Sequence, residues 1–209
     1  VSLLFAAKAA ANNGQIQQAE QLLKQFVSKF PGDKEYADLL LAEMLIQASE
    51  IDRAQEILEA IKVENKMSLR LLADLFCLQS NWSALSALMP KIKRQSVFDK
   101  NALEALQVKC YRGCLNISDH SLTTVVRRQK IEAVWSDIPR AFRQTPEIIA
   151  AYVDGLASAD APEKALNILA KALKDQWHQC LLEAYGRLEI KDGSKQLALG
   201  EQLLIKYPQ

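Results

Sequence analysis

Glycine and proline are scarce in this 209-residue chain, at 7 and 6 residues. That shortage excludes collagen-like and low-complexity classes and suits long helices joined by short turns. Cysteine is sparse as well. Cys77, Cys110, Cys114 and Cys180 form no C-x-x-C pair, so a disulfide framework or a zinc site has no anchor. Cys110 and Cys114 stand four apart and share a helix face, but the only two histidines, His120 and His178, lie at no ligand spacing from them. Scattered thiols on apolar helix faces read as buried cysteine in a reducing compartment, which leans toward a cytoplasmic location.

Neither sign of charge dominates: 26 basic residues face 25 acidic ones. Bulk charge therefore gives no reason to expect nucleic acid as a partner. Long hydrophobic runs are missing. Stretches such as Leu39 to Ala42 fall far short of the roughly 18 apolar residues of a membrane span. The N-terminus is apolar but lacks a basic start, and Lys8 interrupts it at helical spacing, so it reads as a helix and not a signal peptide. The chain begins without Met and stops just after Pro208, and is expected to be a fragment of a longer protein. It contains no G-x-G-x-x-G, Walker loop, G-x-S-x-G elbow or H-E-x-x-H, so dinucleotide, triphosphate, acyl-transfer and zinc-protease chemistry have no anchor. Carboxylates such as Glu20, Asp52, Glu56 and Glu132 fall on the polar faces of helices, where solvation is their default. No enzyme, catalytic residue, metal or cofactor is expected from these residues.

What is present is helical periodicity, repeated. The first unit carries Leu3, Ala6, Ala7 and Ala10, breaks at Asn12 to Gly14, resumes with Ala19, Leu22, Leu23, Phe26 and Phe30, and stops at Pro31. Small residues (Ala7, Ala19) stand where two helix backbones approach, and larger ones fill the space between units. This is the spacing of a tetratricopeptide repeat. Related pairs recur over approximate units 1–32, 33–66, 67–97, 98–144, 145–175 and 176–209. The expected fold is all-α, one right-handed superhelical α-solenoid domain of about twelve helices, with no strand.

Helix starts are expected at Asp33, Ser68 and Asp99, at Thr145 ahead of Pro146, and at Asp160 with Glu163 as a capping box. Tyr36, Val125 and Val126 are placed on apolar faces. The second unit has no Gly at its Gln47 to Ser49 turn, and Pro90 is expected to kink or shorten its helix. Lys91, Lys93 and Arg94 suit a helix C-terminus. The first helices are expected to line a concave groove, with Lys8, Asn12, Glu43, Gln47 and Asp154 as candidate partner contacts. A basic surface of Arg127, Arg128, Lys130, Arg140 and Arg143 is a solvated face with pairs such as Arg128–Glu132, or a contact for an acidic partner or a tetrapyrrole propionate. Trp82, Trp135 and Trp177 are expected to pack between units.

The order of features in the later units is more specific. Asn81-Trp82 is followed by Leu88-Met89-Pro90, then by a W-x-x-[LI]-P-x-x-x-R element at Trp135, Ile138, Pro139 and Arg143. Pro146 to Tyr152, Gln176-Trp177, Tyr185-Gly186-Arg187-Leu188 and Gln196-Leu197 come after it. This resembles the soluble part of the HemY-type tetratricopeptide proteins of proteobacteria, associated with protohaem biosynthesis. Trp82, Pro90, Trp135, Pro139, Trp177, Tyr185 and Gly186 are the positions that carry the likeness, with Ile138 in place of the family's Leu. The resemblance implies an inner-membrane protein anchored by a segment absent from this chain. It implies a non-catalytic scaffold for late haem-pathway enzymes. Direct haem or porphyrin binding and transfer, with His120, His178 or Cys114 as axial ligand, is the alternative, and a general peptide-binding adaptor unrelated to haem is another. A flavoprotein oxidase shares the family's name, but this chain has no flavin-binding glycine motif, so that activity is not implied.

Overall fold

The computed structural model describes residues 2–201 apart from 62, 63, 118, 120, 191, 192, 195 and 199. Eleven α-helices occur among the described residues, together with two 3-10 turns and no strand. His120, the Asp192 part of the expected last turn, Leu199, and the expected ending at Leu203, Leu204, Tyr207 and Pro208 lie outside the described residues. The chain divides into two compact units, Val1–Glu104 and Ala105–Gln209.

The first unit begins with α1 (Ser2–Asn12) and α2 (Ile16–Lys29), followed by a 3-10 turn over Pro31–Asp33. Next come α3 (Lys34–Gln47), α4 (Ile51–Ala60), α5 (Lys66–Leu78) and α6 (Trp82–Gln95). Ile16, Ala19, Leu23 and Phe26 of α2 recur at helical spacing and are all buried, so burial of one stripe holds this helix. Ala7, Ala19, Ala42 and Ala54 have no exposed surface. They allow α1 to pack against α2 and α3 against α4. Helix α3 packs against α2, α4 and α5 and buries six residues, among them Leu40, Met44 and Leu45.

The second unit contains most of α7 (Lys100–Leu115), then α8 (Thr124–Asp137) and a 3-10 turn over Phe142–Gln144. After these come α9 (Pro146–Ser158), α10 (Pro162–Asp175) and α11 (Gln179–Arg187). Helix α9 is the centre of this unit. It buries seven residues and packs against α8, α10 and α11. Helices α7 and α8, expected as a pair, both form but do not pack along one another, and α8 lies on α9 instead. Further helical residues occur between 194 and 201. Gln196 fastens them to α11 by donating to the Tyr185 and Leu188 carbonyls at 3.2 and 3.0 Å, while the Tyr185 hydroxyl donates to the Gln196 carbonyl.

Several local expectations are corrected. The third pair starts at Asn65, not Ser68; the two form a reciprocal capping box with Ser68 at the third helical position. Asp33 and Thr145 do stand at helix starts, but neither side chain makes a capping bond. The Asp160–Glu163 box is absent: the cap position is Ala161, because Asp160 has turned into the left-handed region at φ 55°. Asp99 caps as expected, accepting from the Ala102 N–H at 2.8 Å. Pro90 lies inside α6, and the helix runs on through it to Gln95, so Pro90 does not shorten it. Tyr36 on α3, and Val125 and Val126 on α8, are exposed and not packed on apolar faces; of the apolar face expected on α8, Ile131 is the residue buried in the second unit's cluster.

Candidate functional site

In the second unit one constellation joins the end of α8 to α9. The Trp135 ring stacks on Tyr152 with centroids 4.1 Å apart and planes 6° apart. Helix α8 ends at Asp137, and Ile138 and Pro139 turn the chain away. That turn brings Arg143 back over Trp135, 6.0 Å from the ring centroid. From there Arg143 donates through Nε to the Ile138 carbonyl at 2.7 Å and through Nη2 to the Ser136 carbonyl at 2.5 Å. These are carbonyls at the helix end that lack intrahelical partners, where a cation is favoured. Edge-to-face packing of Tyr111 on Phe142, at 5.3 Å, fixes the same corner from α7. Burial pushes the Tyr152 phenol above its ordinary pKa, with Lys164 opposing.

A cavity of about 530 Å³ opens beside this corner. Trp135, Ile149, Ile168 and Ala172 give it an apolar floor. Arg143, Lys171 and Asp175 supply charge at its rim, and Gln144 and Gln176 supply amides. Gln176 is tied across the rim, its Nε2 donating to the Gln144 carbonyl at 3.0 Å. A second cavity, about 430 Å³, lies in the first unit between Tyr36, Leu39, Lys66 and Met67.

The basic side chains differ in what they touch. Arg127 donates to the carbonyls of Ser158, Asp119 and Leu122 at 3.1, 3.0 and 3.4 Å. It is thus occupied in tying α8 to the end of α9, and Arg143 is occupied at the corner. Arg128 is half-buried, while Lys130 and Arg140 are exposed. Glu132 pairs with Lys164 of α10 at 2.7 Å, not with Arg128 as expected. Lys91 and Arg94 both reach Glu64, at 2.6 and 3.7 Å.

The groove candidates belong to both units. Lys8 and Asn12 are exposed on α1, and on α3 Glu43 is half-buried and Gln47 exposed. Asp154 belongs to the second unit, where it pairs with Arg187 at 2.7 Å. Of the signature positions, Trp135, Pro139 and Arg143 meet at the corner, while Trp82 opens α6 behind its cap Asn81 and Pro90 is exposed farther along. Trp177 is exposed just before α11. Tyr185 holds Gln196, and Gly186 is exposed with open space where a Cβ would stand.

None of the four cysteines is in a disulfide. A thiol hydrogen bond from Cys110 lowers the pKa of Cys114 against the opposing effect of burial. Burial raises that of Cys180, with Glu147 adding to it. The His178 ring lies at the start of α11 with Nδ1 3.1 Å from Cys180 Sγ and also faces the Cys180 N–H. Among the described residues no three His, Cys, Asp or Glu side chains converge as a metal would require. No described helix is long and apolar enough to cross a membrane.

Residues 10–75 match the tetratricopeptide repeat family. That span runs from the end of α1 to α5, the part of the first unit where the buried alanines recur. With the helix pairs already described, the match shows a tetratricopeptide-like α-solenoid. Repeats of this kind present helix surfaces to other proteins and are generally not catalytic. No curated protein and no solved structure matches the chain.

Proposed function

We propose that this chain is the protein-interaction scaffold of a HemY-type protein, gathering late haem-biosynthesis enzymes at the inner membrane. The single observation that carries the scaffold reading is the series of helix pairs with the repeat match over residues 10–75. Such a series has outer faces larger than its own packing requires. The HemY assignment rests on the sequence likeness. It is supported by the way Trp135, Pro139, Arg143 and Tyr152 act together as one corner, as a family signature does when its residues depend on each other.

Crosslinking in native membranes, followed by capture of the full-length protein, tests the proposal. Enzymes of tetrapyrrole synthesis are expected among the crosslinked products. Recovery of protein partners with no such enzyme would overturn the haem assignment and leave the scaffold; recovery of no specific partner would overturn both. Haem titration of the chain is expected to give no stoichiometric Soret shift, because the scaffold reading assigns the pathway's chemistry to its partners.

A further inference from the structure

We propose that the cavity floored by Trp135, Ile149 and Ile168 binds an internal segment of a protein partner, seating one aromatic side chain beside an Asp or Glu. The proposal rests on the protein-interaction reading and names the chemistry of the partner. A volume of about 530 Å³ lies within the range of roughly 300–1,000 Å³ typical of ligand pockets, and the floor is apolar and aromatic. The Trp135 ring is held by its stack on Tyr152 and by Arg143 over it, so the part of it that lines the cavity costs little to order when an incoming ring meets it.

Charge selects what accompanies the aromatic. The two carbonyl bonds from Nε and Nη2 of Arg143 fix the guanidinium plane and leave the Nη1 hydrogens unspent. A fixed guanidinium is a directional receptor for a carboxylate. Lys171 and Asp175 are four apart on α10, both exposed at the rim. Neither has an ion-pair partner among the described residues. With Arg143 they leave one net positive charge, the complement of a single carboxylate. Asp175, the Gln144 side-chain amide and the Gln176 Oε1 remain for the backbone flanking the anchor. The site is lined from α8, α9, α10 and the 3-10 turn over Phe142–Gln144 and uses none of the groove candidates.

The test uses the whole chain and fluorescent nonapeptides, acetylated and amidated so that the only carboxylate is a side chain. A Trp-Glu peptide is expected to bind at least tenfold more tightly than Trp-Gln or Ala-Glu. Lys171→Glu is expected to lower that affinity at least tenfold and to favour a Trp-Lys peptide; Lys29→Glu, at an exposed position of α2 in the other unit, is expected to leave it unchanged. Ala172→Leu, which fills the floor without altering charge, is expected to abolish binding. Equal binding of Trp-Glu and Trp-Gln, insensitivity to Lys171→Glu, or binding only of peptides with a free C-terminal carboxylate would each overturn the proposal. Partner capture by the wild-type protein, measured in parallel, separates this failure from that of the scaffold: partners recovered equally by wild type and Lys171→Glu would sink the cavity alone.

Discussion

Two helical glycines of the second unit make opposite predictions. A Cβ at Gly155 would lie 3.1 Å from the Leu115 carbonyl oxygen and 3.4 Å from Ile131. That oxygen is backbone at the end of α7 and cannot swing aside as a side-chain tip does. Gly155→Val is expected to destabilise by about 1–3 kcal/mol in urea unfolding, the usual cost of overpacking. A Cβ at Gly186 meets nothing within 4 Å, so Gly186→Ala is expected to stabilise by up to about 1 kcal/mol through helix propensity; a loss there would show that the glycine is required. Glu20 gives a pH prediction. It accepts from Lys24 at 3.1 Å and Arg53 at 2.8 Å, and these partners, Lys24 foremost, hold its carboxyl below the ordinary value against burial. A depressed folded pKa gives stability that is present above the unfolded value and lost as pH falls through the folded one. Glu20→Gln is expected to cost at most about 1 kcal/mol at neutral pH, since the pair is solvent-screened. The difference between variant and wild type should close in acid, below the carboxylate range; a gap that persists there would refute the assignment.

The turns inside the helix pairs show how the repeat survives its own degeneracy. Gly14, Ser49, Ser80 and Asp160 occupy equivalent places between α1 and α2, α3 and α4, α5 and α6, and α9 and α10, with φ of 77°, 62°, 54° and 55°. Only the first is the residue that this conformation favours. The missing glycine of the second unit was legible in the sequence; that Ser49 would adopt the left-handed backbone regardless was not, because the packing of α3 on α4 demands the turn whatever residue stands there. Left-handed backbone costs an ordinary residue about 1–2 kcal/mol, and glycine's greater flexibility returns roughly 0.5–1 kcal/mol of that. Ser49→Gly, Ser80→Gly and Asp160→Gly are each expected to raise the melting temperature, by an amount equivalent to about 0.5–1 kcal/mol. A fall would mean that the side chain, not the backbone, holds the turn. Helix existence was legible for the same reason that most caps, Asp99 apart, were not. Periodicity is summed over a whole element, whereas a cap depends on one side chain's reach. Asn65→Ala removes a bond that is made and is expected to cost about 1 kcal/mol, measured as a shift in urea midpoint. Thr145→Ala removes none and is expected to be nearly silent.

At the scale of the molecule, each unit has its own buried cluster. One gathers side chains from Ala7 to Leu75, the other from Leu115 to Leu188. The alanine spacing that announces the first cluster is local in sequence, so it was readable. The corner of the second was not. Arg143 looks like one more solvated cation until Pro139 turns the chain and brings it to the Ser136 and Ile138 carbonyls, and Trp135 gains its meaning only from Tyr152 on another helix. In a serial fold each element depends chiefly on its neighbours, so damage to one cluster should be felt there first. Leu169 of α10 is fully buried within the second cluster. Leu169→Ala deletes buried methyl groups and leaves a cavity, at a cost of about 2–5 kcal/mol. Amide hydrogen exchange is the measurement that resolves where this falls. Exchange is expected to accelerate through α9, α10 and α11, whose packing on one another includes Leu169's own helix, while the amides of α1 to α4 keep their protection. Equal acceleration in α1 to α4 would mean that the two clusters unfold as one cooperative body, and a lesion in either would then disable every binding surface on the chain at once.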